Sequence, residues 1–406
     1  MKITLINHSD TLGGASVVTF RLMEALRRRG HDARMLVMHK GSDSPFVEIA
    51  AKGVRAKVPF LAEHARIYVA NGFNRQDLFK VSLGSDGLAL SRHPLVRGAD
   101  AVFINWVNQG MLSLKEIGRI AAHTRVVWTM HDMWNLTGIC HHAGSCRNFT
   151  ETPGCGDCRF VHRRASAHDV SRRVWGCKRE LYSAVPLQFV AVSSWLAGRC
   201  RRSSLMRDVP VEVIPNAFPV DDYYAEPRRS RSELGLPEGK KIILMGAARI
   251  DDPVKGIDYA VEALNKMERR ADVVPVFFGN LRNPAILEGI KGDYVWTGPV
   301  ADPRELYAHA SVVMSSSLYE TLPGTLIEGQ AAGCMPVAFD SGGQRDIITS
   351  ESVGRLVEPY DTDAFAAALD AAVALEIDTE ALRRHVADLF SADAVARRYV
   401  ELIGAR

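Results

Sequence analysis

The feature that most constrains this chain is an alternation of short apolar runs with amphipathic stretches, carried through once and then begun again. The first series opens with K-I-T-L-I-N (2–7), an apolar run that predicts a strand buried on both faces. Val18, Leu22, Ala25 and Leu26 then recur at helical spacing. Further strands are expected at 33–38, 101–106, 125–130, 187–192 and 211–215, with helices between them such as 113–122, 167–182 and 194–203. The pattern restarts at K-I-I-L-M-G-A-A (241–248). It continues through helix 256–268, strands 273–279 and 294–298, helix 303–310, strand 311–316, helix 325–333, strand 336–339 and helix 363–374. Such alternation builds a parallel sheet with helices on both faces, so two series predict two doubly wound α/β domains. The break is placed in the polar stretch 216–240, which carries Pro219, Pro227 and Pro237.

At 406 residues, 47% hydrophobic and 24% charged, the chain has material for two or three globular domains and is far from a disordered composition. No apolar run reaches the ~18 residues of a spanning helix. The opening M-K-I-T-L-I-N-H-S-D turns polar at Asn7, so it reads as a strand and not as a signal peptide, and a cytoplasmic location is expected. Charge is divided unevenly: residues 1–216 hold 30 Lys and Arg against 17 Asp and Glu, and the remainder 20 against 30. Basic clusters lie at Arg27–Arg28–Arg29, Arg163–Arg164, Arg172–Arg173 and Arg199, Arg201 and Arg202. A basic half attracts an acidic substrate or an anionic membrane surface, or is a solvated face. Zinc-finger, RNP and basic-zipper patterns are absent, and no nucleic-acid partner is expected.

Open parallel sheets bind ligands beyond the carboxyl ends of their strands, so the loops that follow strands carry the chemistry. After the first strand, Gly13 and Gly14 let the backbone come close to an anion at a helix start, or simply make a tight turn. After strand 241–248, Arg249 and Lys255 flank a polar loop before Gly256, two cations that suit a diphosphate. After strand 311–316, Glu320 and Glu328 stand on either side of the Pro323-Gly324 turn and the helix start at Thr325. Carboxylates there hydrogen-bond sugar or ribose hydroxyls. His131, at the end of strand 125–130, is either structural, a donor to a sugar hydroxyl or phosphate, or an acid–base group. Asp251 and Asp252 lie inside the basic loop without a D-x-D beside a sugar site, so no metal is read from them.

The stretch S-S-S-L-Y-E-T-L-P-G-T-L-I-E-G-Q-A-A-G-C-M-P-V-A-F-D-S-G-G-Q-R-D-I-I (315–348) resembles the E-x7-E signature of family 4 glycosyltransferases. It has Thr321-Leu322-Pro323-Gly324 in place of G-F-G-x and Gly329-Gln330 in place of A-M, and keeps Gly333, Pro336 and Gly342-Gly343. V-I-P-N-A-F (213–218) is similar to the family's hinge segment, with Ala217 for glycine, and F-S-A-D-A-V-A-R-R-Y-V-E-L-I (390–403) to its last helix. The matches run from Gly13 to Ile403 and leave 41–100 uncovered.

The resemblance implies a GT-B fold, two Rossmann-like domains facing a cleft. An acceptor-side domain would span 1–216, a nucleotide-sugar domain 217–388, and a helix, 389–406, would cross back to the first. It implies a retaining, metal-independent hexosyltransferase using a UDP- or GDP-sugar. Arg249 and Lys255 would hold the donor diphosphate, Gly13 and Gly14 approach it from the other domain, and Gly324 and Thr325 add the helix start. Glu320 would hold the sugar, Glu328 the ribose, and His131 would lie near the donor sugar in a positioning role. The acceptor is expected to be a glycan or a polyprenyl-diphosphate-linked glycan of cell-surface polysaccharide synthesis, met at the inner membrane face by peripheral contact. A GT-B epimerase and a non-catalytic glycan-binding module are the alternatives.

Seven cysteines without an export signal point to reduced thiols or metal ligands. Cys140, Cys146, Cys155 and Cys158, spaced C-x5-C-x8-C-x2-C in an insert at about 138–165, suit a structural tetrahedral zinc, with His141 and His142 as substitutes. Free thiols and disulfides are the other readings. Cys177, Cys200 and Cys334 read as isolated thiols.

Overall fold

The structure is a computed structural model that describes residues 1–224 and 226–404. The chain divides into two compact units, Met1–Ala217 with the tail from Val395, and Phe218–Ala394.

The first unit is built on a seven-stranded, all-parallel sheet. Its strands are β1 (Lys2–Ser9), β2 (Asp32–His39), β3 (Val47–Ile49), β4 (Ala101–Ile104), β5 (Arg125–Met130), β6 (Leu187–Ala191) and β7 (Val211–Val213). Their order, β3-β2-β1-β4-β5-β6-β7, reverses direction between β1 and β4. The second unit has six parallel strands: β8 (Lys241–Arg249), β9 (Val273–Asn280), β10 (Val295–Trp296), β11 (Val312–Ser315), β12 (Met335–Phe339) and β13 (Arg355–Val357). Their order, β10-β9-β8-β11-β12-β13, reverses between β8 and β11. Each unit is therefore doubly wound, and each has one crevice, at the carboxyl ends of the two strands where the order turns.

Helices pack on both faces, so the central strands are buried throughout; every residue of β4, β11 and β12 is buried. Several helices begin at a side-chain cap. Ser113, Asp169, Ser193, Asp361 and Asp378 each accept a backbone N–H of the first turn. The helices after β1, β8 and β11 differ: Gly14–Arg28, Ile257–Lys266 and Gly324–Ala332 start at Gly13, Gly256 and Pro323 with no side-chain cap. Their first N–H groups, and the positive end of the helix dipole, are left for something else.

Within the first unit, the last helix is fixed by Tyr399 Oη, 2.9 Å from Thr129 Oγ1, and by Arg125, which donates to the Ile403 carbonyl. Two expected strands are shorter than their apolar runs. The run at 101–106 ends as strand at Ile104 because Asn105 and Trp106 turn out to bond across to β1, and the run at 294–298 keeps only Val295–Trp296. Residues 41–100, which the resemblance does not cover, hold β3 and a long helix, Val54–Ala70. No helix among the described residues is long and apolar enough to cross a membrane.

Candidate active site

In the second unit the crevice lies between β8 and β11. The loop after β8 carries Arg249, Asp251, Asp252 and Lys255; the loop after β11 carries Glu320. Lys255 Nζ donates to Glu320 Oε1, so the two loops are tied at their charged tips. Their backbones are also laced: Leu318 N–H donates to the Val254 carbonyl at 2.7 Å, and Ser316 Oγ to the Lys255 carbonyl at 3.0 Å. Gly256 makes this approach possible. Its φ is +62°, and a Cβ there would lie 2.3 Å from the Ser316 carbonyl oxygen. Arg249 turns to its own loop, with an amino group 2.9 Å from Asp252 Oδ2 and Nε 3.6 Å from Asp251 Oδ1. Asp251 in turn accepts the Arg282 and Asn283 N–H groups at 2.9 and 3.0 Å. The two aspartates thus orient the arginine, a role their spacing did not reveal.

Glu320 is held from the other side by Gly342 and Gly343. The Gly343 N–H donates to the Glu320 carbonyl at 2.9 Å, and a Cβ on Gly342 would lie 1.8 Å from that oxygen. The next helix begins at Gly324, so Glu328 stands one turn inside it. There the Tyr307 hydroxyl donates to Glu328 Oε2 at 3.4 Å. Burial, with the Glu328 charge second, drives the Tyr307 pKa well up, so the phenol keeps its proton. Gly324 and Thr325 form the uncapped first turn. Gly329 and Gln330, where the resemblance expected A-M, have local reasons. A Cβ on Gly329 would lie 2.4 Å from a Val313 methyl, and Gln330 Nε2 donates to the Val353 carbonyl at 2.6 Å.

In the first unit the crevice lies between β1 and β4. Gly13 has φ +87° and caps the Gly14–Arg28 helix, with open space where a Cβ would stand on either Gly13 or Gly14. Trp106 N–H donates to Asn7 Oδ1 at 2.8 Å, and His8 N–H to the Trp106 carbonyl at 2.8 Å, which closes β1 against β4. His131 follows β5, with Nε2 3.1 Å from Asn105 Oδ1. It lines a cavity with Asn105, Thr129, Pro215, Asn216 and Tyr399. Burial lowers its pKa to about 4, against the opposing charge of Asp132, so the ring is neutral at pH 7.

Asp132 itself is the centre of a network. It accepts from the Trp106 indole N–H at 3.0 Å and the Trp134 backbone N–H at 2.7 Å, and contacts His141 Nδ1 at 2.7 Å. His141 Nε2 lies 3.1 Å from Ser82 Oγ. His141 contact takes the Asp132 pKa down to about 2 despite burial. His8 adds a second neutral ring, its pKa lowered to about 4 by burial and by His39, whose ring centroid is 5.1 Å away. Neither Asp132 nor His8 was among the expected site residues.

The four clustered cysteines line one cavity together with Thr137, Phe149 and Ser171. All are free thiols, and Cys155 Sγ accepts the Gly138 N–H at 3.1 Å. Among the described residues no group of three or more His, Cys, Asp or Glu side chains is placed to hold a metal ion. The cysteines share a space but not a ligand geometry here, and no role is derived for a metal.

Two family models match the chain: Glycosyltransferase Family 4 over residues 12–222 and Glycosyl transferases group 1 over residues 227–387. A phosphatidyl-myo-inositol mannosyltransferase of Mycobacterium tuberculosis is 31% identical over 223 residues, covering 52% of this chain and 55% of that protein. The chain thus spans about half the length of the mycobacterial relatives it matches. A D-inositol 3-phosphate glycosyltransferase of Xylanimonas cellulosilytica is 24% identical over 385 residues, 89% of this chain and 84% of that protein. Among solved structures, Anabaena Alr3699/HepE in complex with UDP and glucose superposes with a TM-score of 0.65 at 16% identity, each chain covered in full (100%). That likeness, to a structure built of the same two parallel-sheet units, is one of fold.

Proposed function

The chain belongs to the family 4 glycosyltransferases, with the GT-B fold, and we propose that it moves a sugar from a nucleoside-diphosphate sugar to an acceptor hydroxyl with retention of configuration. The observation that carries this reading is the Lys255–Glu320 pair at the second unit's crevice, beside two uncapped helix starts. A departing nucleoside diphosphate gains negative charge as the glycosidic bond breaks. Lys255 and Arg249 offset that charge, and the helix starts add backbone N–H donors. Both cations are balanced by carboxylates before the donor arrives, so binding exchanges one anionic partner for another and leaves no bare charge. Glu320, freed by that exchange, accepts the hydroxyls of the sugar ring; Glu328, set by Tyr307, accepts the ribose hydroxyls.

The acceptor oxygen attacks the anomeric carbon on the face from which the diphosphate leaves. The C–O bond to the diphosphate breaks, the new C–O bond forms, and the acceptor proton passes to a diphosphate oxygen. An α-donor then gives an α-linkage. The charge on the leaving group is met by side chains and helix ends, so the scheme calls for no divalent ion. In the first unit, the Gly13–Gly14 turn offers backbone to the diphosphate, and neutral His131, held by Asn105, positions a sugar hydroxyl.

The donor is read as a UDP- or GDP-sugar and the acceptor as a glycan or polyprenyl-diphosphate-linked glycan. The relatives named for inositol-lipid and inositol-phosphate substrates favour a hydroxyl acceptor on an anionic carrier. The setting is cell-surface polysaccharide assembly at the inner face of the membrane. Incubation with UDP-, GDP- and ADP-sugars, with and without lipid-linked glycan, tests this reading. Nucleoside diphosphate should appear only with acceptor, and proton NMR should show an α-anomeric product. Release without any acceptor, or a β-product from an α-donor, would overturn it.

A further inference from the structure

The Val54–Ala70 helix of the first unit is inside out. At about 100° per residue, Val54, Val58, Leu61, Ala65 and Val69 fall within one stripe along it. That stripe faces solvent: the four larger side chains are 45–75% exposed, and Ala65 is exposed as well. The opposite face carries Glu63 and Ile67, the two buried residues of the helix. Glu63 decides the orientation, because Oε1 accepts the Leu83 and Gly84 N–H groups at 2.7 and 2.9 Å inside the unit. Gly110 adds a second anchor: its backbone is so close to Pro59 and Phe60 that a Cβ would meet them at 2.5–2.6 Å. The outward apolar stripe is therefore a consequence of how the inner face is pinned.

Two exposed phenylalanines pack beside the helix. Phe73 stands edge-on to Tyr68 at 5.5 Å, and Phe79 lies 4.9 Å from the His64 ring. Cations surround the whole. Lys57 lies on one side of the stripe, Arg55 on the other together with Arg66, which is paired with Asp86 at 2.9 Å, and the Arg164 guanidinium sits 5.8 Å over Phe73. Residues 52–80 hold six Lys and Arg against two Asp and Glu. Of those two acids Glu63 is buried, and Asp77 is engaged by Lys80 at 2.9 Å.

We propose that this helix face, with Phe73 and Phe79, docks the first unit on an anionic lipid surface. Valine, leucine and phenylalanine would enter the headgroup–acyl boundary while Arg55, Lys57 and Arg164 meet the lipid phosphates. An exposed apolar stripe flanked by cations fits a fluid anionic plane. The proposal supplies the contact for the membrane setting read above and rests on that reading for location only, because binding is measured without turnover.

Flotation with vesicles of neutral phosphatidylcholine, and of phosphatidylcholine with phosphatidylglycerol, tests it. The full chain should float with the anionic vesicles, weakly with the neutral ones, and less as salt rises. Val58→Asp/Leu61→Asp should cut the bound fraction at least tenfold. Arg55→Ala and Lys57→Ala should each weaken binding about fivefold. These positions are exposed, so unchanged thermal unfolding and unchanged transfer to a detergent-free soluble acceptor show that the fold and the reaction are intact. Wild-type flotation by the Asp variant would overturn the proposal, as would equal binding to neutral vesicles. A concentration-dependent dimer in light scattering that the Asp variant abolishes would instead assign the face to a second copy of the chain. Loss of transfer with flotation intact would strike the catalytic reading and leave this one standing.

Discussion

The Lys255 ammonium is hydrogen-bonded to the Glu320 carboxylate, joining the loop after β8 to the loop after β11. The pair spans 65 residues of sequence yet only one strand boundary in space, because β8 and β11 are neighbours at the point where the sheet order turns. A cation and an anion placed there neutralise each other, and in the proposed reaction a donor with both anionic and hydroxyl groups would separate them.

If the two act as one device, their losses do not add. Lys255→Met is expected to lower kcat by ~10²–10³, the scale of removing one donor to developing charge. Glu320→Gln should lower it as well, and the double variant should fall little further than the worse single one. Steady-state release of nucleoside diphosphate measures all three. Strict multiplication of the two effects would show that Lys255 and Glu320 serve separate steps.

Gly342 is expected to tolerate no side chain. A Cβ would stand 1.8 Å from the Glu320 carbonyl, which is backbone and cannot rotate away. Gly342→Ala should cost about 1–3 kcal/mol as an overpacked contact and lower Tm by several degrees. Gly13→Ala is the contrast. Nothing lies within 4 Å of its Cβ position, so only the backbone opposes a side chain: φ +87° with ψ 160° is a region that essentially glycine alone adopts, at about 1–3 kcal/mol. Calorimetry of both variants, beside donor titration, separates a packing defect from a lost approach: for an equal change in Tm, Gly13→Ala should weaken donor binding more than Gly342→Ala does.

Much of this was legible in the sequence because parallel strands are buried on both faces and so appear as unbroken apolar runs. β1, β5, β8 and β11 all showed themselves this way. β3 and β13 have three residues each and give no such run. The Val54–Ala70 helix was hidden for a different reason: its apolar residues point outward and its inner face holds a carboxylate, so the pattern of a core helix is inverted. In the site, loops after adjoining strands drew attention to Lys255 and Glu320, which the structure joins by a hydrogen bond. The histidine–aspartate pair at 131–132 drew attention to the histidine, whereas the structure gives the denser set of bonds to Asp132. Its partners Trp106 and His141 are 26 and 9 residues away, and no local spacing links them.

Two neutral histidines make the first unit sensitive to acid. Burial lowers the pKa of His8 and of His131 from 6.5 to about 4. Between pH 6.5 and 4 the unfolded chain binds protons at these rings that the folded chain refuses, so stability is full above 6.5 and is lost as pH falls through that window. Urea midpoints should decline steadily from pH 7 to pH 4.5. His8→Asn should flatten the decline, since it removes one of the two rings. An unchanged slope in that variant would place the acid sensitivity elsewhere.

Thiol chemistry distinguishes the cysteines by environment. Cys177 is exposed, whereas Cys200 and Cys334 are buried and burial pushes both thiols up to about 12. The thiolate is the reactive form, so at pH 7.5 a disulfide reagent should label Cys177 at once and Cys200 and Cys334 only on unfolding. Cys140, Cys146, Cys155 and Cys158 line one cavity and should react at intermediate rates, with Cys140, the buried member, last. The same count with a chelator present tests the zinc expectation for that insert. Protection that the chelator lifts, with zinc released in proportion, reports a bound metal that draws the four thiols together. Protection that it leaves unchanged reports burial alone, and the insert is then held by packing around Phe149 and the Gly138–Cys155 hydrogen bond.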